Sequence, residues 1–511
     1  MSTIAEIENI NNVNARYDHE HVIATLLPLF NQLNTYDENI IDDACRSIRS
    51  HFSSARALAP TQPPLLDVRV TPFIQLGLLH PSAEVQATTL KQIDETLKTN
   101  REATLEWLGS NEMLISLVPL LGGKSTLSVA QATLNIFSTI ANNDAKALLQ
   151  QTAFIDAIKT CYINNLDSES AHLRVLELAV ILTLLDPAEF TTLLQDPLLD
   201  ALFKETSSAN STDTLSRLGE LELIGRLGGN VGALEWIVQS QGKLFEVLRS
   251  TLSNVKDHDD SSTPPDYLWV NGVYQLVAQW CQSNRHIDLM LTAGQLQLPL
   301  FSSILYCLES HRSSTLATRC VERAIEVIGI IGSHRFGLDH VLAQPELCKL
   351  FISFSHHRLD NIAVPSQHTL AIMLESKEAR PTVTDDLQRL VMEIGDGHEI
   401  PKSAMKSISS PIEDVRVAAL HLVQAFCLHQ WGCQAMLAQP GLYEYLISRN
   451  ETTKLIREWK FTIVQTLVTQ QEALLNTENF NHQWLKLKEY HSRGVHYLPS
   501  EANVTIATQD M

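Results

Sequence analysis

The groups in this 511-residue chain that could do chemistry include 8 cysteines, 19 histidines and 58 carboxylates. Catalysis and metal binding need such groups at particular spacings. A helical zinc site needs two histidines one turn apart, as in HExxH, and that pattern is absent. His19-Glu20-His21 and the His356-His357 pair lack the i, i+4 geometry and have no cysteines near them. Both read as solvated surface. Cys427 and Cys433 flank His429 as a nucleophile and base would, but Cys427 lies on the apolar side of VQAFC, which favours an inert core thiol. The serine elbow GxSxG and the phosphate loop GxxxxGK[ST] are both missing. GIIG at 329–332 sits inside an apolar helix, where its glycines serve close helix packing better than a nucleotide. The expectation is therefore no catalytic residue, no metal, no cofactor and no enzymatic activity.

The elements that would position any site are almost all helical. Apolar residues recur at three- and four-residue steps, as in VIATLLPLF (22–30), VQATTLKQI (85–93) and VRVAALHLVQAF (415–426). Alternating strand patterns with hairpin turns are lacking. The helices come in pairs. One member carries a plain apolar stripe, as in MLISLVPLL (113–121), FIDAIKTCY (154–162) and LYEYLIS (442–448). The other mixes small residues with aliphatics, as in SVAQATLNIF (128–137), AHLRVLELAV (171–180) and ATRCVERAIEVIGIIG (317–332). Taking Leu114, Ile155, Leu199, Leu244, Leu347 and Leu442 as equivalent gives steps of 41, 44, 45, 103 and 95 residues. The last two are near twice the unit. A period of about 40–47 residues is that of HEAT and armadillo repeats.

The fold class expected is an all-α, HEAT/armadillo-like α-solenoid, in which stacking covers apolar faces that a single pair leaves bare. The organisation expected is an N-terminal helical cap over 1–57 and a repeat solenoid over 58–492. Surface loops are expected near 253–266 and 395–411, and an extended or disordered tail over 493–511.

If the second helices line a concave face, a partner would meet Arg174, Glu177, Arg217, Glu220, Arg319, Glu322, Arg323, Arg416 and His421, with Gln86 and Lys91 as further candidates. Each is also consistent with ordinary helix polarity. In PIEDVR (411–416), Asp414 and Arg416 are either ligands or part of a ladder of caps and ion pairs between repeats, and the ladder is favoured.

The net charge of −20 argues against a nucleic-acid protein, which needs clustered Lys and Arg, and leaves open a basic protein partner. Hydrophobic residues at 44% suit a chain with a buried core. The N-terminus has no apolar secretory stretch, and the apolar run LAVILTLL (178–185) is too short to cross a bilayer. The scattered cysteines, without CxxC, read as reduced core thiols of a cytoplasmic protein, with the nucleus left open. No membrane or nucleic-acid partner is expected, and the chain is expected to be a monomer.

Several stretches resemble one family. They are LLHPSAEVQATTLKQI (78–93), VIGIIGSHRFGLDHVLAQPELCKLF (327–351) and MKSISSPIEDVRVAALHLVQAFCLHQWGCQAMLAQPGLYEYLISR (405–449). FNHQWLKLKEYHSRGVHYLP (480–499) and YLWVNGVYQLVAQW (267–280) join them. They are similar to the proteasome non-ATPase regulatory subunit 5 family. The resemblance implies a non-catalytic HEAT/armadillo scaffold. It implies an assembly chaperone of the 19S regulatory particle that binds the C-terminal domain of one AAA+ ATPase subunit of the base. The complex would also hold other base subunits in an assembly intermediate, and the chaperone would leave before the mature 26S particle forms. A generic solenoid adaptor and an inhibitor of 26S assembly stay open beside it.

Overall fold

A computed structural model describes residues 19–495 apart from 36, 59–62, 111, 143–145, 207–213, 256–265, 311–314, 377–380, 394–396, 449–450, 452 and 476–480. Within helices it leaves aside the side chains at 205, 315–319, 381–384 and 481–482. The described residues form helices and no strand. They divide into two compact units, Met1–Ala233 and Leu234–Met511.

In the first unit the helices are α1 (His19–Gln32), α2 (Glu38–Leu58), α3 (Thr71–Leu78), α4 (Ala83–Thr99), α5 (Arg101–Ser110) and α6 (Met113–Leu117). They continue as α7 (Leu127–Ala141), α8 (Thr152–Asn164), α9 (Glu169–Leu185), α10 (Pro187–Leu194), α11 (Asp200–Thr206) and α12 (Thr214–Gly228). The helices α2, α4, α7, α9 and α12 form one row, each packed on the next, while α3, α6 and α8 form the companion row. The pairs read from the sequence are real: α8 packs on α9 and α11 on α12. The run LAVILTLL is the buried C-terminal half of α9. The expected cap is continuous with this packing, because α2 lies directly on α4. Arg49 joins Glu84, and Arg56 joins Glu95, across that contact.

The second unit holds α13 (Gly242–Asn254), α14 (Tyr267–Trp280), α15 (Gln297–Glu309), α16 (Thr315–Gly332), α17 (Arg335–Leu342) and α18 (Pro345–Phe354). After them come α19 (Asp360–Leu374), α20 (Pro381–Glu393), α21 (Glu399–Ile408) and α22 (Glu413–Cys427). The chain then forms α23 (Gln430–Leu437), α24 (Leu442–Ile447), α25 (Lys454–Gln470) and α26 (Asn481–Arg493). Here the inner row runs α14, α16, α19, α22, α25 and α26, again in direct succession. The double step of 103 residues is filled by the pair α15 and α16, and that of 95 by α20 to α22.

Capping starts several helices. Asp266 accepts from the backbone N–H of Leu268 and Trp269, both at 3.1 Å, at the start of α14. Asp186 caps α10, with Pro187 at the first helical position, where its missing N–H costs nothing. Packing supplies the rest. In α22, Ala418, Ala419, Leu420, Val423 and Phe426 are fully buried, and one buried leucine contributes roughly 1.5–3 kcal/mol. Small residues bring the inner helices close. A Cβ on Gly329 would lie 2.8 Å from Thr369 Oγ1, and one on Gly332 would lie 2.8 Å from Met373 Cγ. The GIIG glycines of α16 are thus the seat of α19.

Hydrogen bonds recur between neighbouring repeats, two of the three below at the sequence period. Thr369 Oγ1 donates to Ile325 O (3.1 Å), Gln471 Nε2 to Cys427 O (2.9 Å), and His429 Nε2 lies 2.8 Å from Leu374 O. These partners are 44, 44 and 55 residues apart.

One expectation needs correction. The stretch 395–411 is not a loop, because α21 occupies Glu399–Ile408 and packs on α22. Ile400, Ala404 and Ile408 fall on one face at four-residue steps and are buried. Pro401 sits in the first turn, where a helix tolerates it. The expected loop at 253–266 and the expected tail at 493–511 lie largely outside the described residues, at 256–265 and 496–511.

Candidate functional site

Three inner helices of the second unit, α16, α19 and α22, border a groove of about 630 Å³. From α16 come Glu322, Glu326 and Ile330. The N-terminal half of α19 gives Asp360, Asn361, Val364, Pro365 and His368. The start of α22 gives Ile412, Asp414 and Val415. The lining holds four carboxylates and no lysine or arginine.

Local structure explains some of these acids and not others. Asp360 opens α19 and Asp414 sits in the first turn of α22. A carboxylate there meets the positive end of the helix dipole, which contributes about 0.3–1 kcal/mol. Glu326 is held by Arg323 at 2.6 Å, one turn back. Glu322 stands in mid-helix with no ion pair among the described residues. Pro365 lies inside α19 and brings no N–H to the carbonyl of Asn361. The aliphatic part of the lining includes Ile330, Val364 and Ile372, with Ile412 51% exposed.

The groove floor ends on a histidine network. His368 Nδ1 lies 2.9 Å from His421 Nδ1, so one of the two carries the shared proton. His421 Nε2 is 3.2 Å from Glu375 Oε1, and its ring centroid is 5.1 Å from that of Trp459. Burial, reinforced by His421, pushes His368 down to about 4, against an opposing pull from Asp414. His368 therefore stays neutral at neutral pH.

The candidates taken from the sequence fall in several places. Glu322 lines the groove, and Arg323 flanks it, paired with Glu326. The side chain of Arg319 lies outside the described residues. His421 belongs to the network below the groove and is only 12% exposed. Arg416 is a strut: it pairs with Glu451 and donates to Ile408 O (3.2 Å) and to the Tyr445 hydroxyl (3.3 Å). In PIEDVR, then, Arg416 is part of the ladder while Asp414 faces the groove. In the first unit, Arg174 donates to Ser125 O at 3.4 Å and Glu177 accepts from Arg226 at 2.6 Å. Both link neighbouring repeats. Arg217 donates to Thr206 O at 3.4 Å. Glu220 is a correction: it is fully buried and accepts from Thr206 Oγ1 at 2.9 Å, so it faces the core and not a partner. Gln86 donates to Leu78 O, and Lys91 lies 3.9 Å from Glu95.

Sequence reading missed Glu326, Asp360 and the aliphatic lining. A signal existed for Asp360. It occupies the start of its second helix as Asp414 does in the next repeat, and Pro365 marks the same helix as irregular. The thiols offer no nucleophile. All 8 cysteines are buried and unbridged. Burial pushes Cys307 up to about 11 and Cys348 up to about 12.

Comparison with known proteins adds the following. The family described as "Proteasome non-ATPase 26S subunit" matches residues 3–276 and 300–510. The 26S proteasome non-ATPase regulatory subunit 5 of Homo sapiens is 24% identical over 436 residues, 83% of this chain and 80% of that protein. Its Drosophila melanogaster counterpart is 22% identical over 418 residues, 80% of this chain and 76% of that one. Among solved structures, Kap121p aligns over 95% of this chain and 53% of its own with a TM-score of 0.48 and 12% identity. A designed armadillo repeat protein in complex with the peptide (KR)4 covers 52% of this chain and 98% of its own at a TM-score of 0.38 and 12% identity. Neither superposes closely. The family match runs over nearly the whole chain and spans both compact units, and on that ground the chain belongs to the proteasome non-ATPase 26S subunit family, alongside the regulatory subunit 5 proteins.

Proposed function

We propose that this chain is a non-catalytic assembly chaperone of the proteasome regulatory particle. In this reading it binds the C-terminal domain of one AAA+ ATPase subunit of the base, holds an assembly intermediate in the cytoplasm, and leaves before the 26S particle is complete. A proteasome-related role follows from family membership alone. The observation that carries the finer reading is the groove on α16, α19 and α22: an accessible, mixed acidic and aliphatic surface in which Glu322 has no ion pair among the described residues. Buried, unbridged thiols support a scaffold over an enzyme. A scaffold of this kind acts sterically, by occupying a surface that a later subunit needs.

The test is co-purification of the full chain with the C-terminal domain of each base ATPase in turn, alongside analysis of assembled particles. Capture of one domain, with the chain absent from mature 26S particles, is the expected result. Capture of none overturns the proposal. Stable retention in mature particles makes the chain a standing inhibitor instead.

A further inference from the structure

The geometry points to a cationic occupant for the groove: a segment of the partner that places at least one arginine or lysine among the carboxylates of α16, α19 and α22, with aliphatic side chains beside it. The inference rests on the reading of the chain as a binding scaffold and specifies what it binds.

Charge complementarity is the argument. Glu322, Asp360 and Asp414 converge on one opening, and none has an ion pair among the described residues. Arg323, beside Glu322 on α16, is engaged by Glu326. His368, the remaining titratable group of the lining, is neutral at neutral pH and directed at His421. Hydrogen bonding from a charged donor is the strongest way to satisfy such a set, and a guanidinium carries five N–H groups. The aliphatic wall suits the methylene stem of the same side chain, which buries against apolar surface while its head stays polar. A volume of about 630 Å³ accommodates several side chains.

The experiment uses the full chain and a fluorescent amphipathic peptide of lysine and leucine at helical spacing, with a glutamate-for-lysine peptide as counterpart. The variant is Glu322→Lys/Asp360→Lys/Asp414→Lys. A control with the same charge change, Glu38→Lys/Asp42→Lys/Glu102→Lys, alters exposed acids of the first unit. The lysine peptide is expected to bind the wild type and the control alike, and the groove variant at least tenfold more weakly; the glutamate peptide is expected not to bind. Equal weakening by both triple variants, or none by the groove triple, overturns the inference. Should the groove triple fail to fold, Glu322→Gln carries the test, with a loss of about threefold expected and unchanged affinity overturning it. The same variants are then mixed with the ATPase C-terminal domains. If the wild type captures a domain and the groove triple captures it equally well, the groove assignment falls and the chaperone reading stands. If no domain is captured while the peptide result holds, the chaperone reading falls and the groove assignment stands.

Discussion

Replacing Gly329 by alanine tests whether the inner helices are set by close approach. A Cβ at 329 would stand 2.8 Å from Thr369 Oγ1, 3.0 Å from Cγ2 and 3.2 Å from Cβ. Threonine is β-branched, and its hydroxyl is tied to Ile325 O at 3.1 Å, so it cannot swing away cheaply. Overpacking of this kind costs about 1–3 kcal/mol. Alanine in place of glycine inside a helix returns about 0.8–1 kcal/mol. The net expectation is a loss of up to about 2 kcal/mol. In a Thr369→Ala background the two nearest atoms are gone and only the 3.2 Å Cβ contact remains, so the same glycine replacement is expected to be about neutral or to stabilise by up to about 0.5 kcal/mol. Most of the cost should vanish, with a coupling of about 1–2 kcal/mol across the double-mutant cycle. A 511-residue repeat chain does not unfold in one step, so a global midpoint is the wrong readout. Amide hydrogen exchange within α16 and α19, measured for the wild type and the three variants, gives the local opening free energies. If Gly329→Ala shifts protection equally in both backgrounds, the close-packing argument is refuted.

Removing Arg416 by alanine is expected to loosen the α22–α25 region by about 3 kcal/mol, because Glu451, only 10% exposed, loses its partner; adding Glu451→Gln should recover most of this in the same exchange measurement. Lys460 is 1% exposed, donates to Ser448 O at 2.9 Å, and is pushed down to about 8 by burial. The folded chain binds fewer protons than the unfolded chain between that value and about 10.4. Stability from this group therefore rises with pH through that window, and Lys460→Met should abolish about 3 kcal/mol of the rise, read as the wild-type-minus-variant difference in the local opening of α25, followed by pulse proteolysis in urea between pH 8 and 10.5. Thiol titration with a coloured disulfide reagent should find none of the 8 cysteines reactive in the folded chain and all of them in urea; one fast-reacting thiol in the native chain would contradict their burial.

Much of the fold was legible because the repeat writes the same instruction many times. The small-residue pattern picked out α4, α7, α9, α16 and α22 before any coordinates, and the period anticipated bonds such as Thr369 to Ile325. Residues 399–408 misled because Gly395, Gly397, Ser409, Ser410 and Pro411 flank them, although Ile400, Ala404 and Ile408 already marked a face. The site was harder to read. Exposure depends on which turn of which neighbour lies alongside, and that is a tertiary fact. Glu220 and Glu322 look alike on their helices, yet one bonds Thr206 in the core and the other borders an opening. Arg416 looked available and is committed to Glu451. Asp360 escaped notice because its acid is also good helix-start chemistry, which hides a ligand role behind a structural one.

The bonds between repeats also bear on how the chain comes into being. A ribosome adds about 5–20 residues per second. The 44 residues between Ile325 and Thr369 therefore emerge roughly 2–9 s apart by that rate. No inner helix named here waits for a partner from the far end of the sequence. Each newly made helix finds its seat already occupied by the one before it, and apolar faces are covered in the order in which they are synthesised. A protein proposed to keep other subunits from premature contact is, during its own synthesis, spared the same hazard by its topology.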